Sequence, residues 1–324
     1  MFFTFVVKNK EILKKDKMKK VYFLDTVHPV LKERLTQTNY KCIDVSEKNI
    51  KELKLIISDA YGIVLRSRFT LNHDFLSFCP QLKFVARSGS GLENIDLEYC
   101  RTKQIDVHSS PEGNRQAVAE HCLGFLLSLL NSFKMAHKDI NNGEWLREKN
   151  RGLELSSQCV GIIGYGNNGR AFAKLLSKHN VTVLAHDKYK TGFSEGAIKE
   201  CSLEDIFQKA TIISFHVPLT YETAYMADYQ FFKRFKNPVR VINISRGKVL
   251  KTKDLIKALD EGFVFGAALD VLDEESKSFT VETKNTVLLD LNKRSNVIIT
   301  PHVAGWTKES YFKLSNVLAD KIIK

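Results

Sequence analysis

Apolar positions recur along this chain on two different periods, and the change from one to the other marks out its elements. From Met18 to about Ser110, short apolar runs at 21–24, 62–65, 82–86 and 105–107 are separated by amphipathic or polar segments. That rhythm predicts strands joined by helices, and hence a parallel sheet. Residues 116–141 then place Val118, Cys122, Phe125, Leu126, Leu129, Leu130 and Phe133 at helical spacing and run to Asn142-Gly143, predicting one long helix that bridges two domains. Beyond it, apolar runs at 160–163, 181–185, 212–215, 239–244, 264–269 and 297–299 predict six strands of a doubly wound sheet. Between two of them, residues 252–260 read as a helix, with Thr252 as a cap, Leu255, Ile256 and Leu259 as its apolar stripe and Gly262 closing it.

At 324 residues the chain suits two domains, each with its own core and a cleft between them. The balance of 49 basic and 37 acidic residues gives +12, but apart from residues 14–20 the charge is spread without a basic block or zinc-finger spacing. Solubility or attraction of acidic metabolites is therefore expected, not nucleic-acid binding. The apolar stretch 122–130 is too short to span a membrane. Six scattered cysteines with no CxxC pair, and a start lacking secretory zones, predict reduced thiols in a cytoplasmic protein. Residues 1–17 precede a second methionine, Met18, and a natural first strand, so they read as a loosely packed basic extension or as upstream of the true start.

After the first strand of the second half stands Gly164-Tyr165-Gly166-Asn167-Asn168-Gly169, followed by Ala171, Phe172, Leu175 and Leu176 at helical spacing. In a strand–turn–helix context the first glycine turns the chain, the second lets the backbone approach a pyrophosphate, and the third allows close helix packing. Asp187 ends the next strand 18 positions past Gly169, where an acid would bind the adenosine ribose hydroxyls and favour NAD over NADP. The plainer alternative is a glycine-rich turn beside a surface aspartate.

Three further strand ends carry unusual groups: Asn243-Ile244-Ser245-Arg246-Gly247, Ala268 to Glu275, and Thr300-Pro301-His302. All fall at carboxyl ends, the edge where a doubly wound sheet binds ligands. His302 suits the acid–base role of a dehydrogenase, Glu275 its orienting carboxylate, and Arg246 the fork that holds a substrate carboxylate. Asp270 suits the nicotinamide carboxamide or ribose, and His216, with Val217 and Pro218, a cofactor-side loop. A buried structural histidine and a solvated acidic loop at 273–275 remain the alternatives. No metal-ligand spacing is present.

In combination and order, Gly164 to Gly169, His216-Val217-Pro218-Leu219-Thr220, Asn243 to Gly247, Ala268 to Glu275 and Pro301-His302-Val303-Ala304-Gly305 resemble the D-isomer-specific 2-hydroxyacid dehydrogenase family, from Met18 to Lys324. The likeness implies an α/β protein of two doubly wound parallel-sheet domains: a flavodoxin-like substrate domain (18–110 and 302–324) into which a Rossmann nucleotide-binding domain (111–301) is inserted. It implies NAD bound by Gly164, Gly166, Asn167, Asn168, Gly169, Asp187, His216, Val217, Pro218, Ser245, Asp270 and Gly305, and catalysis by Arg246, Glu275 and His302. Within the family the stretches Arg66-Ser67-Arg68 and Arg87 to Asp96 resemble the branch that oxidises 3-phosphoglycerate without a regulatory domain, with Arg66, Arg87, Ser88, Gly89 and Arg246 on substrate. Hydroxypyruvate or glyoxylate reduction, and a dinucleotide-sensing scaffold, are the alternatives. A homodimer built around the long helix and Trp145 is also implied, with Arg147 reaching the partner. Departures are Ser276 where the family has proline, a longer stretch from 277 to 295, and Asn168 in place of an apolar residue.

Overall fold

The computed structural model describes residues 18–276, 280–282 and 285–324; the expectation for residues 1–17 lies outside them, as does part of the 277–295 stretch. Strands β1 (Lys19–Phe23), β2 (Tyr40–Asp44), β3 (Gly62–Leu65), β4 (Phe84–Arg87) and β5 (Asp106–Ser109) form one sheet in the order β2-β1-β3-β4-β5. The second sheet holds β6 (Cys159–Ile163), β7 (Thr182–His186), β8 (Ile198–Glu200), β9 (Ile212–Phe215), β10 (Val239–Asn243), β11 (Val264–Leu269) and β12 (Val297–Ile299), ordered β12-β11-β10-β9-β6-β7-β8. Every neighbouring pair is parallel. The strand order reverses between β6 and β9, which opens a crevice at their carboxyl ends.

Successive residues of a strand face opposite sides of its sheet. Ile162, Ile212, Ile242 and Ala268 therefore pack with Cys122, Leu126 and Phe172 on one side of the second sheet. Their neighbours Ile163, Ile213, Val241 and Leu269 pack with Phe207, Phe232 and Leu255 on the other. Burial on both faces is why these strands read as continuous apolar runs. The first sheet is likewise covered on both sides. The final helix, Lys308–Ile323, returns to it: Leu318, Ala319 and Ile322 pack with Val21, Phe23, Leu31 and Phe84.

Four expectations need correction. Strand β2 was absent from the pattern because Tyr40–Asp44 is a half-exposed edge containing a lysine and an aspartate, and β8 because it is a three-residue edge with only Ile198 buried. The long helix is two, Pro111–Leu130 and Phe133–Asn141. Ser132 adopts φ +52, a left-handed conformation that ends helical propagation, and the apolar period misled because Phe133 is 57% exposed. Thr252 does not cap its helix but is its first residue, held by Asp273, which accepts from both the backbone N–H (3.1 Å) and the hydroxyl of Thr252. Gly262 does close that helix, at φ +78. The six cysteines are unpaired, and no helix among the described residues is long and apolar enough to cross a membrane.

Candidate active site

The glycine-rich turn is built by three different constraints. Gly164 has φ +95 and lies so close to the His216 carbonyl that a Cβ would stand 2.7 Å from its oxygen. A Cβ on Gly169 would overlap the Gly164 carbonyl oxygen. Gly166, at the start of the helix Asn167–Leu176, meets nothing within 4 Å, so this face is open. We expect Gly169→Ala to destabilise the protein by about 1–3 kcal/mol, the ordinary cost of overpacking, read as a lower thermal midpoint. An unchanged midpoint would show that the helix is not pinned there.

The open face belongs to the crevice between β6 and β9. Asn168, His216, Val217, Pro218, Ile244 and Ser245 line a cavity of about 720 Å³ there, together with residues 90–93 and 95–98, which follow β4. The buried Oδ1 of Asn168 and Nδ1 of His216 have no hydrogen-bond partner among the described residues. Free helical amides, an open glycine and two unsatisfied polar atoms suit a dinucleotide. His216 donates to or accepts from Ser214 Oγ (2.8 Å), and burial pushes its imidazole down to about 3, so it stays neutral and takes up no proton near pH 7. Asp187 accepts from the backbone N–H groups of Tyr165 (2.8 Å), Tyr189 (2.9 Å) and Lys190 (3.1 Å), which ties the end of β7 to the glycine turn. Asn167 is exposed and outside the cavity lining, and Gly305 lies instead in the cleft that contains His302.

The ends of β10, β11 and β12 bring Arg246, Glu275 and His302 together, as their positions suggested. His302 Nδ1 is 2.8 Å from Glu275 Oε2, and the other Glu275 oxygen accepts from the Leu272 N–H at 2.8 Å. The carboxylate is thus fixed before it fixes the imidazole. His302 has φ +55, a conformation stabilised by its N–H donating to the Asp270 carbonyl (2.8 Å). Asp270, only 1% exposed, accepts through its carboxylate from Thr300 Oγ1 (2.5 Å) and the backbone N–H groups of Val303 and Ala304 (both 2.8 Å). These bonds shape the loop that carries His302, an occupation the sequence did not suggest for Asp270.

Arg246 donates from Nη1 to the Ser245 carbonyl (2.7 Å) and from Nε to Glu93 Oε1 (2.6 Å), an acid carried by the first sheet. Arg66 has its guanidinium 3.9 Å from the Trp306 ring centroid, a cation over an aromatic face, while its backbone N–H donates to Asp25 Oδ2 at 2.5 Å. Arg87 is 6% exposed. It donates from Nε to the Arg66 carbonyl (3.0 Å) and from Nη1 to the Gly91 carbonyl, and burial lowers its pKa to about 10. Arg87 therefore braces the loop. Arg66, Arg87, Ser88, Gly89, Arg246, His302 and Trp306 share one cleft of about 350 Å³. Glu93, Asn114 and Trp306 line these clefts but were not singled out as site residues; Asn114 precedes the stretch read as helical, so no period marked it. Among the described residues no group of three or more His, Cys, Asp or Glu side chains could hold a metal ion.

Residues 123–304, more than half of the chain, match the family model described as D-isomer specific 2-hydroxyacid dehydrogenase, NAD binding domain. The chain is 28% identical over 309 residues to human D-3-phosphoglycerate dehydrogenase, covering 94% of this chain and 56% of that protein. It is 29% identical over 288 residues to hydroxypyruvate reductase of Thermotoga maritima, covering 88% and 92% respectively. It thus spans about half the length of the phosphoglycerate dehydrogenases it matches. Among solved structures, D-lactate dehydrogenase from Aquifex aeolicus complexed with NAD and lactic acid aligns with a TM-score of 0.80 at 28% identity, over 94% of both chains. With the matched domain carrying the glycine turn and both sheets aligned, the chain belongs to the D-isomer-specific 2-hydroxyacid dehydrogenase family, with NAD as its cofactor.

Proposed function

We propose that this chain interconverts a D-2-hydroxy acid and its 2-oxo acid, and that the acid is 3-phosphoglycerate. The observation that carries the reaction is the Glu275–His302 pair at 2.8 Å, facing the same cleft as Arg246. Nδ1 turned toward Glu275 makes Nε2 the nitrogen that exchanges the substrate's hydroxyl proton. Glu275 stabilises the imidazolium so formed and fixes the ring plane. Arg246 holds the carboxylate and orients C2. NAD, when bound in the β6/β9 crevice, supplies the acceptor for the C2 hydride. Asp187, the glycine turn, Ser245 and the His216–Pro218 loop would hold it there.

The phosphorylated substrate is supported by Arg66, a second cation in the cleft whose guanidinium rests on Trp306. That is an arrangement able to meet a phosphate. Hydroxypyruvate reduction is the second reading, favoured by the near full-length match to the Thermotoga reductase. The division at residues 110 and 301 makes the cleft an interdomain one, suited to closure and exclusion of water. Exposed Trp145, Leu146, Phe133 and Ile140 suit a homodimer interface. Initial rates of NADH oxidation with phosphooxypyruvate, hydroxypyruvate, glyoxylate and pyruvate test the substrate. We expect the highest kcat/KM with phosphooxypyruvate. Preference for an unphosphorylated acid would move the chain to the reductase reading, and turnover of none would favour the dinucleotide-sensing scaffold.

A further inference from the structure

We infer that Glu93 is a positioning residue for Arg246, gripping one edge of the guanidinium from across the cleft and reserving the other edge for substrate. This rests on reading the site as that of a 2-hydroxyacid dehydrogenase. Glu93 follows β4 in the first sheet and Arg246 follows β10 in the second, 153 positions apart, yet Arg246 Nε donates to Glu93 Oε1 at 2.6 Å. Glu93 Oε2 and Arg246 Nη2 both crowd the space where a Gly91 side chain would begin, so the carboxylate lies along the Nε–Nη2 edge. Nη1 donates to the Ser245 carbonyl. A guanidinium has five N–H groups in one plane. With the Nε edge and one Nη1 hydrogen committed to protein, the edge formed by Nη1 and Nη2 is the one left to receive a carboxylate and the adjacent carbonyl oxygen.

The loop carrying Glu93 is itself braced. Asn94 donates to the Arg66 carbonyl (3.0 Å) and the Phe69 carbonyl (2.8 Å), and Arg87 donates to the Gly91 and Arg66 carbonyls. Burial works to raise the Glu93 pKa, but Arg246 and Arg87 more than offset it and hold the carboxyl below its ordinary range, so it is ionised at cellular pH. Glu93 therefore has two separable effects: it orients Arg246, and its charge offsets the cations that attract an anion into the cleft.

The separation gives the test. Oxalate binding to the protein–NADH complex, followed by NADH fluorescence, reads attraction of a carboxylate; kcat with the preferred 2-oxo acid reads alignment. For Glu93→Ala we expect kcat to fall at least tenfold while oxalate binds as tightly as in wild type or several-fold tighter, since a negative charge has left the cleft. Glu93→Gln, whose amide oxygen can still accept from Nε, should recover most of the lost kcat yet keep the tighter oxalate binding. Unchanged kcat in Glu93→Ala overturns the inference, as does a defect confined to KM with weakened oxalate binding, which would mark Glu93 as a mere wall of the cleft. A wild-type protein that neither binds oxalate nor oxidises NADH overturns the dehydrogenase reading and this inference with it; an active wild type with unaffected variants overturns only the role of Glu93.

Discussion

His302→Ala should lower kcat by roughly 10²- to 10⁴-fold, the usual contribution of a positioned acid–base group, while leaving the Kd for NADH within about threefold of wild type. The split follows from where the residue sits. The imidazole is hydrogen-bonded to Glu275, on the side of the cleft reached from β12, whereas the dinucleotide crevice is lined from β6, β9 and β10. The substitution is structurally mild. Its left-handed backbone costs an alanine about 1–2 kcal/mol, and the bonds from the Val303 and Ala304 N–H groups to Asp270, which fix the loop, do not involve the imidazole. Stopped-flow fluorescence of NADH binding beside steady-state turnover checks both halves. Full turnover in this variant would remove His302 from the mechanism.

Arg246→Lys should lower kcat/KM roughly ten- to hundredfold despite preserving the charge. A charged hydrogen bond is worth about 1.5–3 kcal/mol, and lysine cannot offer two parallel N–H groups to a carboxylate. It also cannot donate to Glu93 and to the Ser245 carbonyl from one rigid plane, so the contact between the two sheets would loosen as well. Steady-state kinetics with the preferred 2-oxo acid, with NADH binding measured in parallel, checks this. A lysine variant with wild-type kcat/KM would mean that Arg246 contributes charge alone, and the fork geometry would lose its place in the account.

Much of this arrangement was legible in the sequence because it rests on local rules. Buried parallel strands must be apolar on both faces, so β1, β3, β4, β6, β7 and β9–β11 announced themselves, and the edges β5 and β12 were marked by the apolar runs at 105–107 and 297–299. The glycine turn was legible because Gly164 and Gly169 answer to steric demands and Gly166 leaves the face open, and Arg246, Glu275 and His302 because each follows a strand end. What escaped depends on contacts between distant segments. Edge strands β2 and β8 need satisfy only one neighbour, so their side chains are free to be charged. The break at Ser132 is a single backbone choice inside an unbroken apolar period. Arg87 lines the cleft as its loop suggested, but its second task, bracing that loop through Nε and Nη1 on the Arg66 and Gly91 carbonyls, depends on the folded backbone and not on a local pattern. The pairing of Glu93 with Arg246 joins residues 153 positions apart, which no local pattern encodes.

On the proposed reading, hydride passes to C2 of a 2-oxo acid within the cleft shared by Arg246, Glu275 and His302. The most direct measurement incubates the protein with NADH stereospecifically deuterated at C4, each face in turn, and the 2-oxo acid it turns over fastest. The product's mass and configuration are then analysed. The expected product is a D-2-hydroxy acid carrying one deuterium at C2 for one of the two cofactor faces, formed in equal amount to the NADH consumed. An L-configured product, or NADH left unconsumed with every acid offered, would contradict it.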